Sequence, residues 1–151
     1  IPPAYIDLLG HMNVRYYFEI YGGGAMGIFG AMGMSERYIK EKKAGNFVLR
    51  QIIDYIAEVL EGDTVSVRAR VLGRSERRIH VMYFMFNETR QRLASTSEVL
   101  VSYADLSIRR TAPWPAEFAE RIDALVALSN ALDWDAPVSG AIGPQQLKTS
   151  A

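Results

Sequence analysis

The sequence predicts an α+β fold: one long antiparallel β-sheet wraps a central α-helix, and a further helix closes the C-terminus. Three observations carry this. Apolar residues at 14, 17, 18, 21, 25, 28, 29 and 32 recur at the spacing that lines one face of a helix. From residue 46 runs of strand formers follow one another, and TVSVRARV alternates strictly. After the proline-bearing stretch RRTAPWPAE comes an amphipathic segment over about 116 to 131.

Taken in order, Asn13 stands as the N-cap of the first helix and Gly33 as its stop. Ser35 caps a shorter helix, ERYIKEKK, that Gly45 ends. The three glycines at 22 to 24 admit two uses. They relieve a close approach of helix and sheet, at about 1 kcal/mol each relative to alanine, or they break the helix. NFVLRQIIDYIAEVLEGD is rich in strand formers but ambiguous over its first half, whereas RIHVMYFMF and LASTSEVLVSYAD read as long strands. Turns at Gly62-Asp63, 73 to 75 and 87 to 92 separate the strands, and a meander is the simplest pairing. One domain over 1–134 is expected, with a loosely ordered Gly/Pro/Ser-rich tail over 135–151.

Seventeen basic and seventeen acidic side chains cancel, which argues against nucleic acid as the main partner. The absence of cysteine excludes disulfides and thiolate catalysis, and two histidines alone leave no zinc site. No apolar stretch is long enough to span a bilayer, so a soluble protein with no membrane partner is expected. The chain opens at Ile1 with no signal peptide in view. A few residues are expected to be missing ahead of it, and the expected compartment is the cytoplasm.

The chemistry gathers at 7 to 17. Asp7 and His11 are four apart, with Gly10 between them to permit a tight turn and Asn13 after them. Backbone N–H groups near Asn13 and Val14 then lie unpaired at a helix N-terminus, where the helix dipole favours an oxyanion. A carboxylate beside them can act as nucleophile or as general base on water. The same residues have plainer uses: Asp7 closing a turn, Asn13 only capping the helix, His11 a half-buried polar group.

The run Asp7-Leu8-Leu9-Gly10-His11-Met12-Asn13 followed by Tyr17 resembles the signature of the hotdog-fold acyl-CoA thioesterases of the 4-hydroxybenzoyl-CoA thioesterase type. The likeness continues through Tyr55, Glu58 and Gly62-Asp63, through RVLGRSERRIH ending at His80, and through EVLVSYAD to RRTAPWP, covering most of residues 1–118. The opening IPPAYID is similar to the subgroup that includes betainyl-CoA and carnitinyl-CoA thioesterases. The resemblance implies that Asp7 is the catalytic carboxylate and that the Val14 N–H polarises the thioester carbonyl. His11 and Asn13 then shape the loop and place a water. It implies an acyl-CoA substrate, no separate cofactor because CoA belongs to the substrate, and a homodimer or homotetramer with active sites at the dimer interface.

Tyr17 and Tyr55 are the aromatics expected nearest the acyl group. Arg74, Arg77 and Arg78, with Arg68, Arg70, Arg90 and Arg92 around them, are the candidate grip on the CoA phosphates, and Arg109 and Arg110 are weaker ones. Glu19 and Glu58 are fallback carboxylates, and His80 with Glu98 reads as a structural pair. The chain departs from its subgroup at Arg50 and Ile52, where an acidic residue and a histidine are frequent, and at Ser102 and Tyr103. If those positions line the acyl pocket, the substrate differs. Two other readings stay open: a hotdog-fold hydratase or dehydratase, and a non-catalytic acyl-CoA binding module.

Overall fold

The computed structural model describes residues 1–144. Its elements are α1 (Val14–Ala31), α2 (Glu36–Lys42), β1 (Ala44–Tyr55), β2 (Val65–Arg74), β3 (Arg78–Asn87), β4 (Arg92–Asp105), β5 (Arg110–Thr111) and α3 (Ala116–Asn130).

Helix α1 begins where Asn13 turns extended and its side-chain oxygen accepts the Arg15 N–H at 3.1 Å. It passes through the three glycines without a break. Only Gly24 needs its missing side chain, since a Cβ there would fall 2.6 Å from Val67 Cγ1 on β2, whereas one at Gly22 or Gly23 would meet open space. Helix α2 is capped by Ser35, as its sequence predicts. It ends earlier than Gly45: Lys43 takes the left-handed conformation, φ 47°, and Gly45 already lies in β1. The glycine signal misplaced the stop because the turn is made by a lysine, a conformation costing an L-residue about 1–2 kcal/mol.

The strands order as β1-β4-β3-β2, all antiparallel, and β5 pairs with the end of β4. The expected meander holds from β2 to β4 and fails for β1, which pairs with β4 instead of its sequence neighbour. Alternation fixes which face a side chain takes but not which strand lies alongside. Here the 14-residue β4 takes the central place and is buried along nearly its whole length, which suits its almost unbroken run of apolar and small residues. Gly73 belongs to β2, at a bulge, and the turn into β3 is made by 75–77.

The inner face of the sheet presents Val71, Ile79, Val81, Tyr83, Met85, Val99 and Val101 to Tyr17, Tyr21 and Phe29 of α1, with Phe118 and Ile122 of α3 in the same core. On the outer face Met82, Leu100, His80 and Glu98 are buried as well. There the chain beyond α3 folds back over the sheet. Trp134 meets the Phe84 ring edge-on at 5.4 Å and lies under the Arg70 guanidinium. The Ser139 N–H donates to Glu98 Oε2 at 2.9 Å, and Ile142 is buried. This part of the predicted loose tail has no regular secondary structure through residue 144, and 145–151 lie outside the described residues.

Candidate active site

The loop before α1 is built from four backbone bonds. Gly10 N–H donates to Asp7 O and Asp7 N–H to His11 O, closing a tight turn that needs the positive φ of Gly10, 85°. Met12 N–H reaches Val59 O and Asn13 N–H reaches Tyr5 O, which ties the loop to the body of the protein. Tyr5 stacks on Tyr16 at 3.7 Å beneath it.

Within this frame Asp7 does two things. Its Oδ1 accepts the Leu9 N–H at 2.9 Å, so the turn-closing use is real. Its Oδ2 makes no hydrogen bond among the described residues and stands 3.9 Å from His11 Nδ1. Asn13 is the helix cap: its side chain takes the Arg15 N–H and its carbonyl the Tyr16 N–H, while the Val14 N–H has no acceptor among the described residues. A free carboxylate oxygen and a free helix N-terminal N–H therefore sit either side of one short loop.

Two open clefts flank that loop. One is lined by Asp7, Leu8, Leu9, Asn13, Arg15 and Tyr16. The other, of about 360 Å³, is lined by His11, Val14, Tyr17, Tyr55 and Glu58 among others. Asp7 and Val14 thus open onto different clefts. Tyr17 and Tyr55 meet edge to face at 5.0 Å, so the two aromatics singled out in the sequence are brought together beside Val14. Burial pushes the Tyr17 hydroxyl above its ordinary pKa, with the nearby Tyr55 and Glu58 adding to the effect. Glu19 is at the surface, accepting the Tyr5 hydroxyl.

Other candidates are placed elsewhere. Arg74 makes a bidentate pair with Asp123 of α3, Arg77 reaches Thr111 O and Arg78 reaches Pro144 O. Arg78, the nearest of them, lies about 23 Å along β3 from Met85, the β3 residue level with Tyr55, at a strand rise of about 3.3 Å per residue. The structure does not bring it to the Asp7 loop of its own chain. Arg68 bridges to Glu88, Arg90 to the buried Asp63, and Arg92 to Glu58 O. Arg109 and Arg110 stand at the far end of β4, level with Ala44 of β1. Arg50 and Ile52 face outward, Arg50 donating to Ala141 O, so neither lines the space between α1 and the sheet. Ser102 shares that outer face, while Tyr103 points inward to the Tyr38 hydroxyl at 2.7 Å. His80 and Glu98 pair at 2.8 Å on the outer face, as a structural pair.

The residue that sequence reading missed is Arg15. It is the one arginine lining either cleft at the helix N-terminus, its guanidinium over the Tyr16 ring and bonded to the Tyr16 hydroxyl. Its signal was position alone, second in a helix whose first residue was already under suspicion.

A long helix laid on a curled antiparallel sheet, with a C-terminal helix in the same core, defines the hotdog fold. The profile of the Thioesterase-like superfamily matches residues 1–122, and the chain belongs to that family. It is 24% identical over 141 residues to the betainyl-CoA thioesterase of Pseudomonas aeruginosa, covering 93% of this chain and 89% of that one. A Staphylococcus aureus protein solved in complex with CoA superposes with a TM-score of 0.82 at 22% identity, over 89% of this chain and 85% of that one. The DHNA-CoA thioesterase of Staphylococcus aureus gives 0.76 at 18% identity, over 86% and 89%.

Proposed function

We propose that the chain hydrolyses an acyl-CoA thioester to a free acid and CoA, with Asp7 as the catalytic carboxylate and the Val14 N–H as the oxyanion donor. The observation that carries this reading is that Asp7 Oδ2, which accepts no hydrogen bond among the described residues, and the Val14 N–H, which has no acceptor there, flank one loop. They open onto the clefts on its two sides, so a thioester that meets both lies across the loop. With Asp7 as general base, Oδ2 takes a proton from water as the water oxygen bonds to the thioester carbon. The carbonyl oxygen becomes an oxyanion facing the Val14 N–H, reinforced by the helix dipole. The C–S bond then breaks and the thiolate of CoA leaves. With Asp7 as nucleophile, Oδ2 bonds to the carbon, the C–S bond breaks and the thiolate of CoA leaves, and water then hydrolyses the mixed anhydride to free acid and Asp7 carboxylate. A thiolate leaves readily, so this modest equipment suffices. His11 orients the carboxylate, and Asn13 keeps Arg15 and Tyr16 occupied so that Val14 alone faces the substrate.

Arg15, beside the Asp7 cleft, is placed to meet a CoA phosphate. The Arg74–Arg78 turn is a candidate only for a CoA held across a subunit boundary. Such a boundary has a natural place: β1 is an edge strand, and exposed Leu8, Leu9, Tyr55 and Ile56 line the two clefts near its end. The assembly we propose is a homodimer built there, working in the cytoplasm.

The test is thiol release from short-chain, aromatic, long-chain and betaine-type acyl-CoAs by the native protein and by Asp7→Asn. The cysteine-free chain adds no background to a thiol-reactive dye. A fall of about 100-fold or more in the variant is the expected result. Acyl-CoA binding with no thiol released from any of the panel would overturn the reading.

A further inference from the structure

Between α1 and the β1–β4 side of the sheet runs a narrow groove of about 150 Å³, separate from the two clefts at the loop. Phe18, Met26, Phe29 and Val99 give it an apolar wall, and no charged side chain lines it. Two features of this groove have no use in the folded chain itself.

The first is Tyr83. It is 2% exposed, it lines the groove, and its hydroxyl has no hydrogen-bond partner. Of the polar groups near it, the Tyr21 hydroxyl donates to Ser95 Oγ and Gln51 Nε2 to Ser97 Oγ, both at 2.9 Å, and Asn46 Nδ2, on the same groove, reaches Met34 Sδ at 3.4 Å. Burial raises the Tyr83 pKa, so the hydroxyl keeps its proton and stands as a donor without an acceptor. A buried donor left in that state costs about 1–3 kcal/mol. The second is Gly22. It lines the same groove, and a Cβ there would meet nothing within 4 Å, so packing against the sheet does not require a glycine. In a helix interior glycine costs about 1 kcal/mol relative to alanine. Its absent side chain keeps the groove open, about 12 Å along α1 from Val14 at a rise of 1.5 Å per residue.

We infer that this groove receives an uncharged acyl tail of medium length whose far end carries a hydrogen-bond-accepting oxygen, a hydroxyl or oxo group, and that Tyr83 is the residue that selects it. This rests on the thioesterase reading above and deepens it. A thioester with its carbonyl at Val14 sends its tail along α1 past Phe18 toward Tyr83, whose hydroxyl donates to the terminal oxygen. A cationic tail finds no carboxylate in the groove. Among the described residues the carboxylates lining the neighbouring clefts are Glu58, beside Tyr17 and Tyr55, and Asp7 across the loop.

The experiment compares kcat/KM for 8-hydroxyoctanoyl-CoA, octanoyl-CoA and betainyl-CoA in the native protein, Tyr83→Phe, Gly22→Ala and Gly22→Leu, with melting temperature measured alongside. The native protein is expected to prefer 8-hydroxyoctanoyl-CoA to octanoyl-CoA by about tenfold, the scale of one well-placed hydrogen bond. Tyr83→Phe brings that ratio to about one without lowering the melting temperature, a split that a merely structural tyrosine does not produce. Gly22→Ala raises the melting temperature, and Gly22→Leu lowers kcat/KM for both octanoyl substrates by about tenfold or more. A ratio that survives Tyr83→Phe, or betainyl-CoA as the best substrate, overturns the proposal while leaving the thioesterase reading standing. If the native protein releases no thiol from any of the three but hydrolyses another member of the wider panel, this proposal falls and the thioesterase reading stands. If it hydrolyses none of them, the thioesterase reading falls and the same ratio is read from calorimetric affinities.

Discussion

Val67 of β2 presses against the bare α-carbon of Gly24, so closely that a Cβ on that glycine would fall 2.6 Å from Val67 Cγ1. One turn of helix thus holds three glycines in three different situations: Gly24 in contact, Gly22 on the groove, Gly23 over open space. Alanine substitution separates them. Gly24→Ala is expected to destabilise by about 1–3 kcal/mol through overpacking, and Gly23→Ala to stabilise by up to about 1 kcal/mol. Denaturant unfolding of the two variants measures both signs, and stabilisation by Gly24→Ala would disprove the contact.

Asn13 offers a clean separation of stability from activity. Aspartate caps a helix as well as asparagine does, whereas alanine costs about 1 kcal/mol. Asn13→Asp should therefore melt near the native temperature, yet lose about tenfold or more in kcat because it sets a second negative charge beside the Val14 N–H where the oxyanion forms. Asn13→Ala should lose stability as well. Thiol-release kinetics beside thermal melts decide the matter; an Asn13→Asp enzyme of native activity would remove Val14 from the mechanism.

Arg15 and Arg74 make opposite predictions for CoA. Arg15→Ala is expected to weaken CoA about 5- to 10-fold and to flatten the salt dependence of binding. Arg74→Ala should change affinity by less than about twofold and instead lower the melting temperature, because its guanidinium is already taken by Asp123. Isothermal titration of CoA at two ionic strengths reads both. Loss of CoA binding in Arg74→Ala would restore the arginine turn to the site.

The buried carboxylate of Asp63 should govern acid sensitivity. Burial raises its pKa, but the Leu60 N–H, Arg90 and Asn87 outweigh that and hold it at about 2. A carboxyl whose folded pKa lies below its unfolded value of about 3.9 contributes stability that is complete above pH 4 and lost as the pH falls toward 2. Asp63→Asn is expected to lower stability at pH 7 and to flatten its decline between about pH 4 and 2. Equal slopes for variant and native protein over that window would contradict the assignment.

Local chemistry made much of this architecture legible. Asn13, Ser35 and Gly10 each carry their signal in their own side chain or lack of one, and the structure uses them as their sequence suggests. Partnership was not legible. Nothing in β1 says that it will skip β2 for β4, because alternation is satisfied beside either. Arg74, Arg77 and Arg78 look free in sequence because Asp123, Thr111 and Pro144 lie 30 to 70 residues away. The orphaned hydroxyl of Tyr83 could not be seen at all, since whether a buried group is satisfied depends on every neighbour at once.

The late arrival of β4 also sets an order of events during synthesis. β1 is complete at residue 55, but its partner does not begin until residue 92. A chain leaving the ribosome must therefore carry an unpaired strand with exposed Val48, Tyr55 and Ile56 while the β2–β3 hairpin, whose contacts are local, closes ahead of it. Nascent chains with residues up to about 90 clear of the ribosome are then the species most in need of a chaperone, and the emergence of about fifteen further residues ends that need by supplying β4, the edge on which β1 can dock.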